Sequence, residues 1–260
     1  MTRPRRRRIL SAAAKRSLPF LIAAIVIVVV WQLVVTLTHP DPSVLPTPWA
    51  TAIAFVGLVR NGQLGLDALY SVARVVSAWL LSAIVAIPLG LLMGSSLRLE
   101  RIVNPFVELL RPISPLAWIP MAILWFGIGE GGKVFVVFVG TFFPILLSTV
   151  AGVKAVDPVL LNAGRVFGCT SRLALFRRVV VPASLPSVVV GLRVAFGTGW
   201  AAIIAAELVA AHTGLGYLIA NGMDILRADL VLVGMAAIGL LGFLFDAFFR
   251  ALQRQFGGSS

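Results

Sequence analysis

DPVLLNAGRVFGCTSRLALFRRVVVPASLPSVVVGL, residues 157–192, is a moderately polar, arginine-bearing segment set between two long apolar runs. Glycine and proline punctuate it. It reads as two short helices, broken at Gly168-Cys169-Thr170-Ser171 and ended by Val181-Pro182. If the flanking runs cross a membrane, the segment is a sizeable cytoplasmic loop. Such a loop suits a docking surface for another protein better than a catalytic site.

The flanking runs belong to a chain that is apolar throughout. Of its 260 residues, 59% are hydrophobic and only 12% charged, and the mean hydropathy is +1.00. A soluble domain cannot hide that much apolar surface. Several runs approach the ~20 residues that a helix needs to cross a bilayer. Alternating segments of the membrane-barrel type are not apparent. The expected class is an all-α polytopic membrane protein with six transmembrane helices.

The order of the runs supports this. Residues 1–17 form a basic N-terminus with arginines at 3 and 5–8 and then Lys15 and Arg16. The first span, 18–38, is too long for the ~7–15-residue core of a secretory signal and reads as uncleaved. A Pro-rich external stretch, His39–Pro48, cannot continue a helix, and Trp49–Val59 reads as a short interfacial helix. The remaining five spans lie within 66–250: Leu66–Met93, a third from near Ile102 to Gly129, Val134–Val153, Leu185–Ala211 and Leu230–Phe249. Arg98–Arg101, Glu130–Lys133 and His212–Asp229 read as connecting loops, 154–184 as the large cytoplasmic loop, and 251–260 as a cytoplasmic tail. The third span carries Pro112, Pro115 and Pro120. These must break or kink it, which a membrane tolerates only in protein contact or beside a wet cavity.

Placing both termini in the cytoplasm puts sixteen lysines and arginines inside and three outside, Arg60, Lys133 and Arg227. That asymmetry fits the positive-inside rule. It also accounts for the net charge of +12 without nucleic acid; the N-terminal block reads as an anchor touching anionic lipid.

Candidates for chemistry are few. Cys169 is the only cysteine, so neither an internal disulfide nor a cysteine-based metal cluster is expected. His39 and His212 lie far apart and read as solvated loop residues. No G-x-x-x-x-G-K-[ST], G-x-S-x-G or H-E-x-x-H pattern occurs, so ATP-driven work would need a separate subunit. Glu108 and Arg111, spaced i, i+3, can pair on one helix face. With Trp118 and Glu207 they are candidates to line a translocation pathway, because an ion inside a membrane is a functional candidate by default; the bland alternatives are a salt bridge at a helix break and ordinary packing. Arg74 and Arg193 could attract an anionic solute, but are expected to snorkel to the nearest interface. A self-sufficient secondary transporter would need coupling acids and internal repeats; only Glu207 and Asp246 are embedded acids of the later spans, and no convincing repeat is seen. A membrane enzyme lacks its catalytic constellation.

Asn162-Ala163-Gly164, three residues, Gly168, and then Val179-Val180-Val181-Pro182 resembles the EAA loop of ABC importer permeases, written E-A-A, three residues, G, nine residues, I, one residue, L-P. Two departures stand out. Asn162 and Gly164 replace the Glu and the second Ala, and the gap from Gly168 to Pro182 is one residue longer, at Cys169-Thr170. Arg111–Pro120 (RPISPLAWIP), Leu124–Glu130 (LWFGIGE), Gly191-Leu192-Arg193, Ala206-Glu207-Leu208 and Gly214–Tyr217 (GLGY) extend the resemblance over roughly residues 20–255. They are most similar to the taurine and alkanesulfonate members of the nitrate/sulfonate/taurine branch.

The resemblance implies a type I importer (MetI-like) permease fold with a core of five spans plus an N-terminal one. It implies a homodimer of permeases, two cytoplasmic ATPases that carry ATP and Mg, and an extracytoplasmic solute-binding protein, in a bacterial inner membrane. It makes Asn162, Ala163, Gly164, Gly168, Cys169, Arg172 and Pro182 the ATPase-coupling residues. The implied cargo is a small organic anion, with nitrate or another small solute as the alternative, and this chain itself is not an enzyme and carries no cofactor.

Overall fold

The computed structural model describes residues 22, 23 and 25–256, with side chains through Ala251. The basic block up to Arg16, the start of the first span and the Gly-Gly-Ser-Ser tail lie outside these residues. Among the described residues every regular element is helical. Helix α1 is seen over Ile25–Thr38. Trp31 Nε1 donates to Pro46 O (3.0 Å) and fastens the following loop. The interfacial helix α2, Pro48–Arg60, is capped by Thr47, whose hydroxyl accepts from Ala50 N, and Pro48 sits in the first turn, where its missing N–H costs nothing.

Three long helices form the centre: α3 (Gln63–Ser95), α6 (Glu130–Lys154) and α9 (Val181–Ala210). Val75 of α3, Val137, Ile145 and Leu146 of α6 and Ala195 and Ile203 of α9 are fully enclosed among them. The α6–α9 seam is close because small residues alternate across it. A Cβ on Gly191 or Gly152 would fall 2.5 Å from the Cβ of Ser148 or Ser187, and one on Gly199 would fall 2.5 Å from Thr141 Cγ2. Lipid offers no hydrophobic drive between helices, so this close backbone approach and the contacts it permits hold the pair together. Pro144 interrupts α6 and frees the carbonyl of Gly140, four residues earlier. Thr198 of α9 donates its hydroxyl to that carbonyl at 2.9 Å, so the seam itself repairs the break.

The third expected span is two elements. Helix α4, Leu97–Leu110, and the segment formed by a 3₁₀ turn, Pro115–Trp118, with helix α5, Ile119–Phe126, meet at 84°. Pro115 and Pro120 each stand in the first turn of an element, so the prolines start helices as well as stop them. Four helical stretches are long and apolar enough to cross a membrane, or five with the bent pair as one: α3, α6, Arg172–Ala210 and Ala228–Ala251, plus α4 with Pro115–Phe126. The described part of α1 is shorter.

Several expected loops are helical. Arg98–Arg101 is the first turns of α4, capped by Ser96. Glu130–Lys133 opens α6, so the tight loop contracts to Gly127–Gly129. Much of 212–229 is helix α10, Leu215–Asp224, which packs on α9 and on the last helix, α11 (Ala228–Phe256). Charge dilutes the apolar pattern and gives short polar stretches the look of loops; a helix end capped in water tolerates the same charge.

Candidate functional site

The opening segment forms a compact corner at the end of the bundle where α6 finishes. Helix α7, Pro158–Val166, starts at Asp157, whose Oδ1 accepts from Val159 N at 2.7 Å. It stops at Gly168, whose φ of +93° favours glycine; Phe167 N donates to Ala163 O and Cys169 N to Gly164 O. Arg165 donates to Asn162 Oδ1 at 3.0 Å, and Cys169 is buried beneath the turn. Val166 and Phe167 stand 83% and 86% exposed among the described residues.

The return path differs from expectation. Helix α8, Arg172–Leu175, capped by Ser171, continues through a π turn, Phe176–Val180, directly into α9. The chain is therefore not ended at Val181-Pro182. Val181 N donates to Phe176 O, five residues back, and such a turn holds one residue more than an α turn. Pro182 falls in the first turn of α9, where proline is accommodated. The stretch between Gly168 and Pro182 thus contains both the break at Cys169-Thr170 and a π turn. The same turn explains Gly164: a Cβ there would fall 2.7 Å from Val179 Cγ2.

A second feature is an open cleft of about 580 Å³ between the α4–α5 corner and the seam of α6 with α9, lined by Arg111, Leu116, Val139, Phe143, Ser148 and Thr198 among others. Of the four candidate pathway residues Arg111 alone lines it. Glu108 is exposed on α4 and accepts from Asn104 Nδ2 at 2.6 Å; its expected pair with Arg111 does not form, because Arg111 lies where the chain leaves α4. Trp118 packs against Trp125 and Phe135.

Glu207 belongs to a third feature, a buried polar cluster at the opposite end of the bundle from α7. It accepts from Ser71 Oγ, from Arg74 Nη1 at 2.7 Å and from Gly216 N at 3.0 Å. Arg74 is 4% exposed, so it does not snorkel. The same Nη1 also donates to the Thr213 carbonyl, while Nε and Nη2 reach the two oxygens of Glu130 and Nη2 reaches the Thr213 hydroxyl. Lys133 also pairs with Glu130, and Asp67 Oδ1 accepts from Gly214 N. Arg193 pairs with Asp246 of α11. The sequence does carry a signal for Arg74: an arginine inside an apolar run, in a chain with an acid inside another.

A bundle of long apolar helices with a polar cluster closing one end, a cleft beside its central seam and an exposed helical corner at the other end is that of a polytopic membrane protein. The chain belongs to the family of binding-protein-dependent transport system inner membrane components, which matches residues 86–257. It is similar to the taurine transport system permease protein TauC of Escherichia coli, with 36% identity over 88% of this chain and 85% of that protein. It is also similar to the nitrate import permease protein NrtB of a Synechocystis strain, 30% identical over 89% of this chain and 86% of that one. Its fold is like that of a chain of the MetNI methionine ABC transporter, at a TM-score of 0.56 and 20% identity, covering 70% of this chain and 92% of that chain.

Proposed function

We propose that this chain is the transmembrane subunit through which a small organic anion of the taurine or alkanesulfonate type enters the cytoplasm, driven by a separate ATPase. The observation that carries the reading is the α7 corner: a short capped helix held on the end of two spanning helices, with Val166 and Phe167 uncovered. A rigid two-helix corner with an apolar tip suits insertion into a cleft of a partner. The likeness to permeases for taurine and nitrate supports the cargo class, with nitrate as the second reading.

In this reading two copies of the chain pair in a bacterial inner membrane, both termini cytoplasmic. Two ATPases dock under the α7 corners, where Asn162, Ala163, Gly164, Gly168, Cys169, Arg172 and Pro182 shape the contact, and a solute-binding protein docks on the far side. ATP and Mg sit on the ATPases. Their closure moves the corners together, and the π-turn connection passes that motion into α9, so the ATPase cycle biases one of two bundle arrangements.

The test is co-expression with the ATPase and the binding protein, followed by affinity purification and ATP-dependent uptake. Gly168→Asp and Phe167→Glu are expected to lose the ATPase or the uptake while the chain still inserts. Uptake at the wild-type level in both variants overturns the coupling role. Robust proton- or sodium-driven uptake by this chain alone overturns the whole reading.

A further inference from the structure

The cleft beside the α6–α9 seam carries one more step, which rests on the reading of the chain as an anion permease. Its walls come from the central stretch of α6, Val139–Ser148, and of α9, Val194–Ala202, so it sits at mid-depth of the bundle. Apolar side chains dominate: Ile113, Leu116, Val139, Phe143 and Val194. One charged group faces it, Arg111. The ion-paired arginines of the described residues are others: Arg74, Arg193, Arg227 and Arg250. Arg111 is exposed, at the point where α4 ends and the chain turns by 84°. The Thr198 hydroxyl is committed to backbone carbonyls and Ser148 adds only a neutral hydroxyl, so Arg111 is the one charged donor.

We infer that Arg111 is the anion-recognising contact of a transient subsite in this cleft, taking the sulfonate head of an amphiphilic anion while the apolar walls take its short alkyl tail. A guanidinium presents a planar fork of donors that matches an oxyanion and is more weakly hydrated than an ammonium. A cationic side chain at mid-depth is tolerated when it faces a wet cavity. An ion without an apolar portion, such as nitrate, gains nothing from those walls. Lipid phosphate is the rival source of the same chemistry, but it belongs to the headgroup layer at the bundle ends.

The test is made on the assembled complex of permease, ATPase and binding protein in zwitterionic liposomes. Val194→Cys places a thiol on the cleft wall, and the same complex without it, in which Cys169 of this chain is buried, gives the background rate. The reaction rates of 2-sulfonatoethyl and 2-trimethylammonioethyl methanethiosulfonate are compared. Arg111→Gln is expected to lower the anionic-to-cationic rate ratio by about five- to tenfold, with Arg111→Lys retaining most of it. Free ethanesulfonate is expected to slow the anionic reagent when Arg111 is present. An unchanged ratio in Arg111→Gln overturns the inference, as does a thiol that neither reagent reaches. Protection by added anionic lipid but not by ethanesulfonate overturns it in favour of a headgroup. These rates are read without turnover, so they stand apart from the transport reading, which fails instead if the wild-type complex takes up no sulfonate.

Discussion

Glu207 shows how far a single carboxylate can organise an end of this bundle. Ser71, Arg74 and the Gly216 amide all donate to it, and it is 1% exposed. Glu207→Ala strands Arg74 with one buried partner fewer, and loss of one member of a buried pair costs about 3–5 kcal/mol. Thermal unfolding of the purified chain in detergent should register that loss. Pairing the change with Arg74→Met should cost less than the sum of the two, as contacting residues are not additive. Gly214 is the hinge of the same cluster. Its φ of +113° with an extended ψ is a glycine conformation, and a Cβ there would fall 2.5 Å from Glu207 Cδ. Gly62 also has positive φ, +76°, but open space around it. Gly62→Ala is therefore expected to cost about 1 kcal/mol, and Gly214→Ala clearly more by the same assay. None of this could be read from local spacing. Arg74 stands 56 residues from Glu130 and 133 from Glu207, and no periodicity connects positions that far apart.

Most helix boundaries that differ from the sequence reading involve a polar turn, the continuation through Val181-Pro182 being the exception, whereas the long apolar runs are where their composition put them. Val134–Val153 became α6 with one turn added at its start, and Leu66–Met93 became α3 with a few residues at each end. The proline triplet correctly marks a broken helix, but the 84° corner depends on what packs inside it. The prolines inside the seam are different, because their partners are tertiary. Thr198→Val removes the donor that serves the Gly140 carbonyl and is expected to cost about 1 kcal/mol, typical of interhelical hydrogen bonds in membranes. Thr198→Ser, which keeps the hydroxyl, should lie close to wild type in the same unfolding measurement. In the α7 corner, Gly164→Leu cannot fit against Val179. It should displace α7 from the π turn and make the loop at Gly168 cleave faster in limited proteolysis; an unchanged cleavage rate would count against the close packing described.

At the scale of the molecule, the positive-inside asymmetry predicts an orientation. Reporter fusions after Arg250 should be active in the cytoplasm, and cysteines placed at Asn61 or Ser43 should react with an impermeant reagent from the outside; the reverse pattern would invert the arrangement. Composition by itself determined that the chain is a helical membrane protein, because 59% hydrophobic residues in runs of ~20 have no other stable solution. The resemblance around Asn162–Gly168 pointed to the family, because the glycine and proline positions of a helical corner are local demands on the backbone. Only the tertiary structure decided which charges are buried together, that a π turn joins α8 to α9, and that Arg111 faces a cleft while Glu207 faces inward. These depend on side chains meeting across helices from distant parts of the chain. The apolar pattern says that a helix is surrounded by something apolar, but lipid and protein satisfy that pattern equally, so it leaves open which neighbour each face meets.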